Sequence, residues 1–255
     1  MEILTAAHTD IGIQKSTNQD SLCIKMAETS VGKVVLAVIC DGMGGLSKGE
    51  VASATVIHAF SKWFDQELPT QLAKDQWSTI QNRWEQIIQE QNERIGAHGR
   101  AIRSNLGTTL TAMLLIDSKF MLVGHVGDSR VYRLDSELRQ LTEDQTVVAR
   151  DIKQGRITPE QAKTDPRRNV LLQCIGASNQ VRPEFFEGRA SAGEVYLLCS
   201  DGFRHKISEE EIYSTFAPAN LSTEDEMETR AVRMVELVKE RQETDNISVV
   251  IVKIQ

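Results

Sequence analysis

The amino-acid sequence predicts an α+β fold built around antiparallel sheets. Eight short runs are rich in Val, Ile, Leu and Tyr, residue types that suit a pleated, half-buried surface. Many are separated by only a few polar or glycine-containing residues, as at Asp117-Ser118 and Gly127-Asp128. Connections that short join antiparallel neighbours, because a parallel pair needs a crossover of roughly a dozen residues or more. Three long stretches repeat their apolar residues near the helical period, so substantial helices lie outside the strands. No internal repeat, low-complexity tract or Pro/Ser-rich linker interrupts the chain, which predicts one domain over residues 1–255.

The chain opens with strands at 2–8, 21–26 and 33–40. A helix is expected over 48–68, where Val51, Ala52, Val56, Ala59, Phe60, Trp63 and Phe64 share a face. A second, over 75–95, sets Trp77, Ile80, Trp84, Ile87, Ile88 and Ile95 opposite Gln, Glu and Arg; its tryptophans are expected in the core. Strands at 109–116, 119–127 and 130–134 follow. Then comes a small helical insertion, a flap at about 146–168. Its first helix stops at Gly155, and its second restarts with Thr158 as N-cap, Pro159 in the first turn and Gln161 completing a capping box. After a strand at 194–200, a helix over 223–241 begins with acids, as the macrodipole favours, and a strand at 246–254 ends the fold.

Lys and Arg number 29 against 36 Asp and Glu, a formal net charge of −7, and the clustered cations that a nucleic-acid backbone requires are missing. An acidic protein that handles phosphate needs cations to do so. The N-terminus has no basic stretch followed by an apolar segment, and no apolar run is long enough to cross a bilayer, which predicts a cytoplasmic protein. Cys23, Cys40, Cys174 and Cys199 are widely spaced and mostly sit in apolar runs, so they are expected to be reduced core residues. The five histidines show no metal-ligand spacing.

The chemistry is predicted where strands end. An apolar run terminates on Asp41 in VICDGMGG; another ends on Asp201-Gly202 in VYLLCSDGF; Asp128 stands beside Gly127 in MLVGHVGDSR; and Asp245 immediately precedes the last strand in ETDNISVVIV. One Asp-Gly alone forms a turn. Four aspartates flanking core strands predict a shared site on one rim of a sheet. Clustered carboxylates repel one another, and an all-oxygen donor set without His or Cys selects hard cations, Mn²⁺ or Mg²⁺. Two such ions offset the charge, attract phosphate and lower the pKa of a shared water for in-line attack. Rival chemistries lack their residues: no cysteine is followed six residues later by arginine, and neither a Gly-Lys-Ser/Thr phosphate loop, a dinucleotide-loop glycine spacing nor a G-x-S-x-G elbow occurs. The acidic balance disfavours a metal-dependent nuclease.

An ordered series of motifs spans nearly the whole chain: TDIGIQKSTNQDSL, VICDGMGGLSKGEVAS, LGTTLTAMLL, GHVGDSRVYRL, LTEDQT, RRNVLLQCIG, LLCSDGF and TDNISVVIV. It resembles that of bacterial metal-dependent serine/threonine protein phosphatases of the PPM (type 2C) family. The resemblance implies an α/β/β/α sandwich, two central antiparallel sheets flanked by helix pairs, with a two-metal centre at one end. It implies that Asp41, Asp201 and Asp245 are metal-binding carboxylates with catalytic roles, that the Gly42 carbonyl is a further ligand, and that Asp20 belongs to the same centre. Asp128 would hold a third, weaker ion beneath the flap, with Asp151 and Asp165 as candidates for its second ligand, and Lys15 would bind the substrate phosphate.

Several positions depart from the family's pattern. Lys15 replaces an arginine, a point charge in place of a planar fork. Gln19 replaces an acid, leaving Asp20 the only carboxylate of its element and predicting weaker ion binding there. Gln145 stands where His is common. Met43 occupies the place of a histidine in eukaryotic relatives and cannot donate a proton, so a metal-bound water or water alone must protonate the leaving group. Arg204 and His205 make DGFRHKIS unusually basic; a solvated loop is expected there, with contact to substrate as the alternative. The implied activity is hydrolysis of phosphoserine and phosphothreonine in proteins by a hydroxide bridging two Mn²⁺ or Mg²⁺ ions. The implied partners are phosphorylated proteins, a serine/threonine kinase and its substrates among them, with no nucleic acid and no membrane, and the chain is expected to be a monomer. Lys15 and Gln19 motivate one alternative, a catalytically weakened phosphoprotein-binding regulatory module; four retained strand-end aspartates argue against it.

Overall fold

The computed structural model describes residues 2–44, 48–117 and 119–255, so Gly45, Leu46, Ser47 and Ser118 of the predicted corner and hairpin lie outside the described residues. In chain order the strands are β1 (Ile3–Asp10), β2 (Asp20–Thr29), β3 (Gly32–Gly44), β4 (Leu106–Thr108), β5 (Leu110–Ile116), β6 (Phe120–Val126), β7 (Arg130–Leu134), β8 (Leu138–Gln140), β9 (Glu184–Gly188), β10 (Val195–Cys199) and β11 (Ile247–Ile254). The helices are α1 (Gly49–Gln66), α2 (Leu68–Ala73), α3 (Ile80–Ile102), α4 (Val147–Lys153), α5 (Pro159–Thr164), α6 (Asp201–Arg204), α7 (Glu209–Phe216) and α8 (Glu224–Glu240).

Residues 34–40 are apolar without a break because β3 is covered on both faces. Val34, Leu36, Val38 and Cys40 pack outward on α1 and α3, with Phe60, Trp63 and Trp84 among their neighbours. Val35, Ala37 and Ile39 point the other way, into a layer shared with Tyr196, Leu198, Val250 and Val252 of the second sheet. The outer face of that second sheet, including Leu197, Cys199, Val249 and Ile251, is covered by α7 and α8 through Phe216, Met227, Ala231 and Val235. A period of two along each strand thus separates three apolar layers, and the result is the expected α/β/β/α sandwich. One sheet has the order β1-β11-β10-β7-β8 and the other β2-β3-β5-β6-β9, with β4 paired to the end of β3. Every strand pair is antiparallel.

Each of the three long predicted helices forms, with shifted ends. The first breaks at Glu67, where Pro69 removes a backbone donor and α2 begins afresh. The second runs on to Ile102. The flap helices form as expected, and Thr158 and Gln161 make both bonds of the capping box. Helix α7 was not anticipated, although Ser208 and Glu211 form a capping box legible in its sequence. No helix among the described residues is long and apolar enough to cross a membrane.

Candidate active site

Register brings the first two carboxylates together: β2 and β3 pair so that Asp20 stands opposite Asp41. The end of β3 is pinned from β5's side, with Asp41 N donating to Thr109 Oγ1 and Thr109 N donating to Asp41 O, both at 2.8 Å. Strand β10 runs out through Ser200 into Asp201 at the start of α6, while its neighbour β11 begins just after Asp245. Asp128 lies in the turn between β6 and β7, and β7 pairs Arg130 with Cys199 of β10. Four strand ends therefore open on one rim.

Two glycine contacts make that rim possible. Gly42 N donates to Gln19 O at 3.1 Å, and a Cβ on Gly42 would overlap the carbonyl oxygens of Gln19 and Gly49. The Gln19 amide, oriented by its partners, donates to Gly42 O and accepts from Gly49 N, each at 3.2 Å. A Cβ on Gly202 would likewise overlap Asn246 O, so β10 can turn beside Asp245 only with glycine there.

Asp20, Asp128 and Asp201 are 8%, 5% and 6% exposed, far below what an unpartnered carboxylate tolerates. Neither oxygen of Asp20 has a hydrogen-bond partner, nor does Asp201 Oδ1. Burial pushes the Asp20 carboxyl up to about 7, with repulsion from Asp201 and Asp245 adding to it; the hydroxyls of Ser200 and Ser248 oppose this without reaching hydrogen-bond geometry. Asp41 is raised well above the usual carboxylate range by lost hydration and then by the charges of Asp20, Asp201, Asp128 and Asp245. Asp128 is pushed up to about 7 by burial and Asp201, against the pull of Arg204. Lys15 enters the ring, its Nζ 2.7 Å from Asp245 Oδ1, and Arg204 stands 3.7 Å from Asp128 Oδ2. Partial burial lowers the Lys15 pKa, but the Asp245 hydrogen bond, then the charges of Asp245, Asp41 and Asp201, outweigh that and raise it.

No three His, Cys, Asp or Glu side chains among the described residues close into a ready-made ion cage. The rim is instead an open ring of carboxylates, anionic in excess and oxygen-only. Its buried Asp20 oxygens accept from nothing in the protein, a donor set that fits hard divalent cations.

A family model described as Protein phosphatase 2C matches residues 12–240. The chain belongs to the protein phosphatase 2C family. It is 34% identical over 249 residues to the serine/threonine protein phosphatase PstP of Mycobacterium tuberculosis, covering 96% of this chain and 44% of that protein, so it spans less than half of that relative's length. Its fold superposes on the S. agalactiae serine/threonine phosphatase with a TM-score of 0.86 at 28% identity, covering all of both chains. It also matches the catalytic domain of PstP in complex with two manganese ions, with a TM-score of 0.76 at 31% identity and 99% of each chain covered.

In this member of the 2C family, Asp20, Asp41, Asp128, Asp201, Asp245 and Lys15 are brought to one rim. Asp151 and Asp165 are not free. Asp151 is screened by Arg150, Arg156 and Arg167 at 3.1–3.3 Å, and Asp165 is gripped by Arg167 at 2.8 Å. The solvated loop expected at Arg204 and His205 is corrected by the structure. The Arg204 side chain is 13% exposed, donates to Asp128 O at 3.0 Å and bridges to Asp144, which Arg130 already clasps through two bonds of 2.8 Å. His205 sits 3.6 Å from both Asp201 Oδ2 and Glu243 Oε2, and those carboxylates raise its pKa against the opposing effect of burial. Gln145 is buried, and its Oε1 accepts from Gly127 N at 2.9 Å, tying the start of the flap to the rim.

Sequence reasoning missed Asn246. Its Oδ1 accepts from Gln19 N at 2.9 Å, and its Nδ2 donates to Ile11 O at 2.9 Å and Thr17 O at 3.2 Å. A single buried amide thus clamps the segment that carries Lys15. The available signal was an Asn, whose side chain both donates and accepts, beside a strand-end Asp.

Proposed function

We propose that the chain hydrolyses phosphoserine and phosphothreonine in proteins, using two Mn²⁺ or Mg²⁺ ions held by Asp41, the Gly42 carbonyl, Asp201, Asp245 and Asp20, with Asp128 facing a third. The observation that carries this reading is the pair of buried, unpartnered Asp20 oxygens beside Asp41 in a ring of mutually repelling carboxylates. Membership of the 2C family and the two manganese ions of the PstP catalytic domain support it. When bound, the ions supply positive charge for the phosphoryl oxygens and lower the pKa of water near phosphorus.

The chain's own residues do the rest. Lys15, kept charged by its acidic neighbours, draws in the substrate phosphate; the phosphate then competes with Asp245 for the ammonium. Asn246 fixes the loop that presents Lys15, and Gln19 holds the Gly42 corner against α1. Met43 has no proton to give, so the leaving alkoxide takes its proton from solvent. Residues 1–255 act as one phosphatase domain, with 146–168 as a flap over a cavity of about 1380 Å³ that Asp128 and Asp245 border. The protein works as a cytoplasmic monomer on phosphorylated proteins, including a serine/threonine kinase and its substrates. The weakened-module alternative is not favoured, since Lys15 stands on the rim in contact with Asp245.

Turnover of a small aryl phosphate with added Mn²⁺ is expected, lost on chelation and absent in Asp41→Asn. Turnover that survives chelation would remove the metal mechanism.

A further inference from the structure

The flap has a charge opposite to the rest of the chain: residues 146–168 hold six Lys and Arg against three Asp and Glu in a protein of net charge −7. The cavity beside the rim is walled by this flap on one side and by the α6–α7 segment on the other. Asp128 and Asp245 border it from the carboxylate rim, and its other acids have cationic neighbours. Glu143 is paired with Lys153 at 2.9 Å, Asp144 with Arg130 and Arg204, and Glu243 with His205, while Glu209 lies 3.9 Å from Arg130. Three cations bordering the cavity, Lys163 and Arg168 on the flap side and Lys206 on the facing side, are exposed and have no acidic partner among the described residues.

We propose that this groove receives the peptide flanking the phosphoresidue and selects segments with Asp or Glu there, so that Lys163, Arg168 and Lys206 determine specificity. The proposal deepens, and rests on, the phosphatase reading above. Net charge alone predicts the opposite, since an acidic protein attracts basic peptides at long range. Local complementarity decides at the wall, where the engaged acids have little charge left to offer and the three cations do. Exposed ion pairs are individually weak, so three together are expected to give about a tenfold preference, reduced by salt.

The test measures binding of fluorescent peptides in which a non-hydrolysable phosphonate replaces the phosphate, with flanking residues either acidic or basic, in the presence of Mn²⁺. The acidic peptide is expected to bind about tenfold tighter. The order should invert in the triple variant Lys163→Glu, Arg168→Glu, Lys206→Glu, whose substitutions are all exposed. Equal affinity for the two peptides, or a ranking that survives the triple variant, would overturn the proposal. Aryl phosphate turnover is followed in parallel: its absence in the wild type with the peptide ranking intact sinks the catalytic reading and supports the groove.

Discussion

Replacing Asp20 by asparagine should stabilise the metal-free protein at alkaline pH and weaken the metal-loaded one. Asp20 is buried opposite Asp41, and its carboxyl titrates near 7 against an ordinary value of 3.8. Below about pH 4 the group is neutral folded or unfolded and contributes nothing. Between about 4 and 7 the unfolded chain releases the proton while the fold retains it, so stability falls as pH rises. Above about 7 the fold carries the full cost, about 4 kcal/mol at 1.36 kcal/mol per tenfold change in proton affinity. Part of that cost is repulsion from Asp201 and Asp245, which can relax when other carboxyls in the ring take up protons. A gain of about 2–4 kcal/mol for Asp20→Asn at pH 8 is therefore expected.

Urea unfolding in chelator, at intervals from pH 4 to 8, gives the difference between variant and wild type; the slope contributed by Asp128 cancels, while relief of the Asp20 charge on Asp41 adds to the gain. That difference should grow from near zero at pH 4 to its full value by pH 8. Under millimolar Mn²⁺ the order should reverse, since an ion that binds only the folded protein adds RT ln(1 + [L]/Kd) and the variant has lost a ligand. A variant no more stable than wild type at pH 8 in chelator would refute the claim that Asp20 is held at a cost for an ion.

Two further substitutions separate the roles of the rim. Lys15→Ala should raise KM for a phosphopeptide by about tenfold, while stability changes by less than about 1 kcal/mol, because the Lys15–Asp245 pair is substantially exposed; an unchanged KM in steady-state kinetics contradicts the phosphate role. Asn246→Ala leaves the Gln19 N–H and two carbonyls without their partner, and should cost about 2–4 kcal/mol in urea unfolding. A loss below about 1 kcal/mol would mean that the 11–19 segment is held by other contacts.

Much of this molecule was legible because its strands are covered on both faces. Unbroken apolar runs such as 34–40 and 249–252 identify strands without help from alternation, and the carboxylates that flank these strands mark where the cover ends. What escaped lies in short elements. β9 carries two phenylalanines and no periodic run, and β4 is three residues long, so each depends on the neighbour it pairs with and not on its own pattern. Arg204 escaped for a related reason: its burial comes from Asp144 and Asp128, which approach from a distant part of the chain, and a basic tetrapeptide looks solvated until they do.

The same logic explains why the site sits at the rim. Inside a sheet every backbone carbonyl is committed to the ladder, and a carboxylate on either face would meet an apolar layer. Beyond its last pair with β2 at Asp41, β3 runs on through Gly42 paired with β4, and Gly42 packs closely on Gly49 at the start of α1, beside Asp41. Asp201 follows β10 at the first turn of α6, and Asp245 precedes the adjacent β11, so neither displaces a core residue. The sandwich therefore gathers unneutralised charge at the cost of local stability but without loss of core. The energetic penalty falls on the ionised carboxylates alone, which is where bound cations can reverse it.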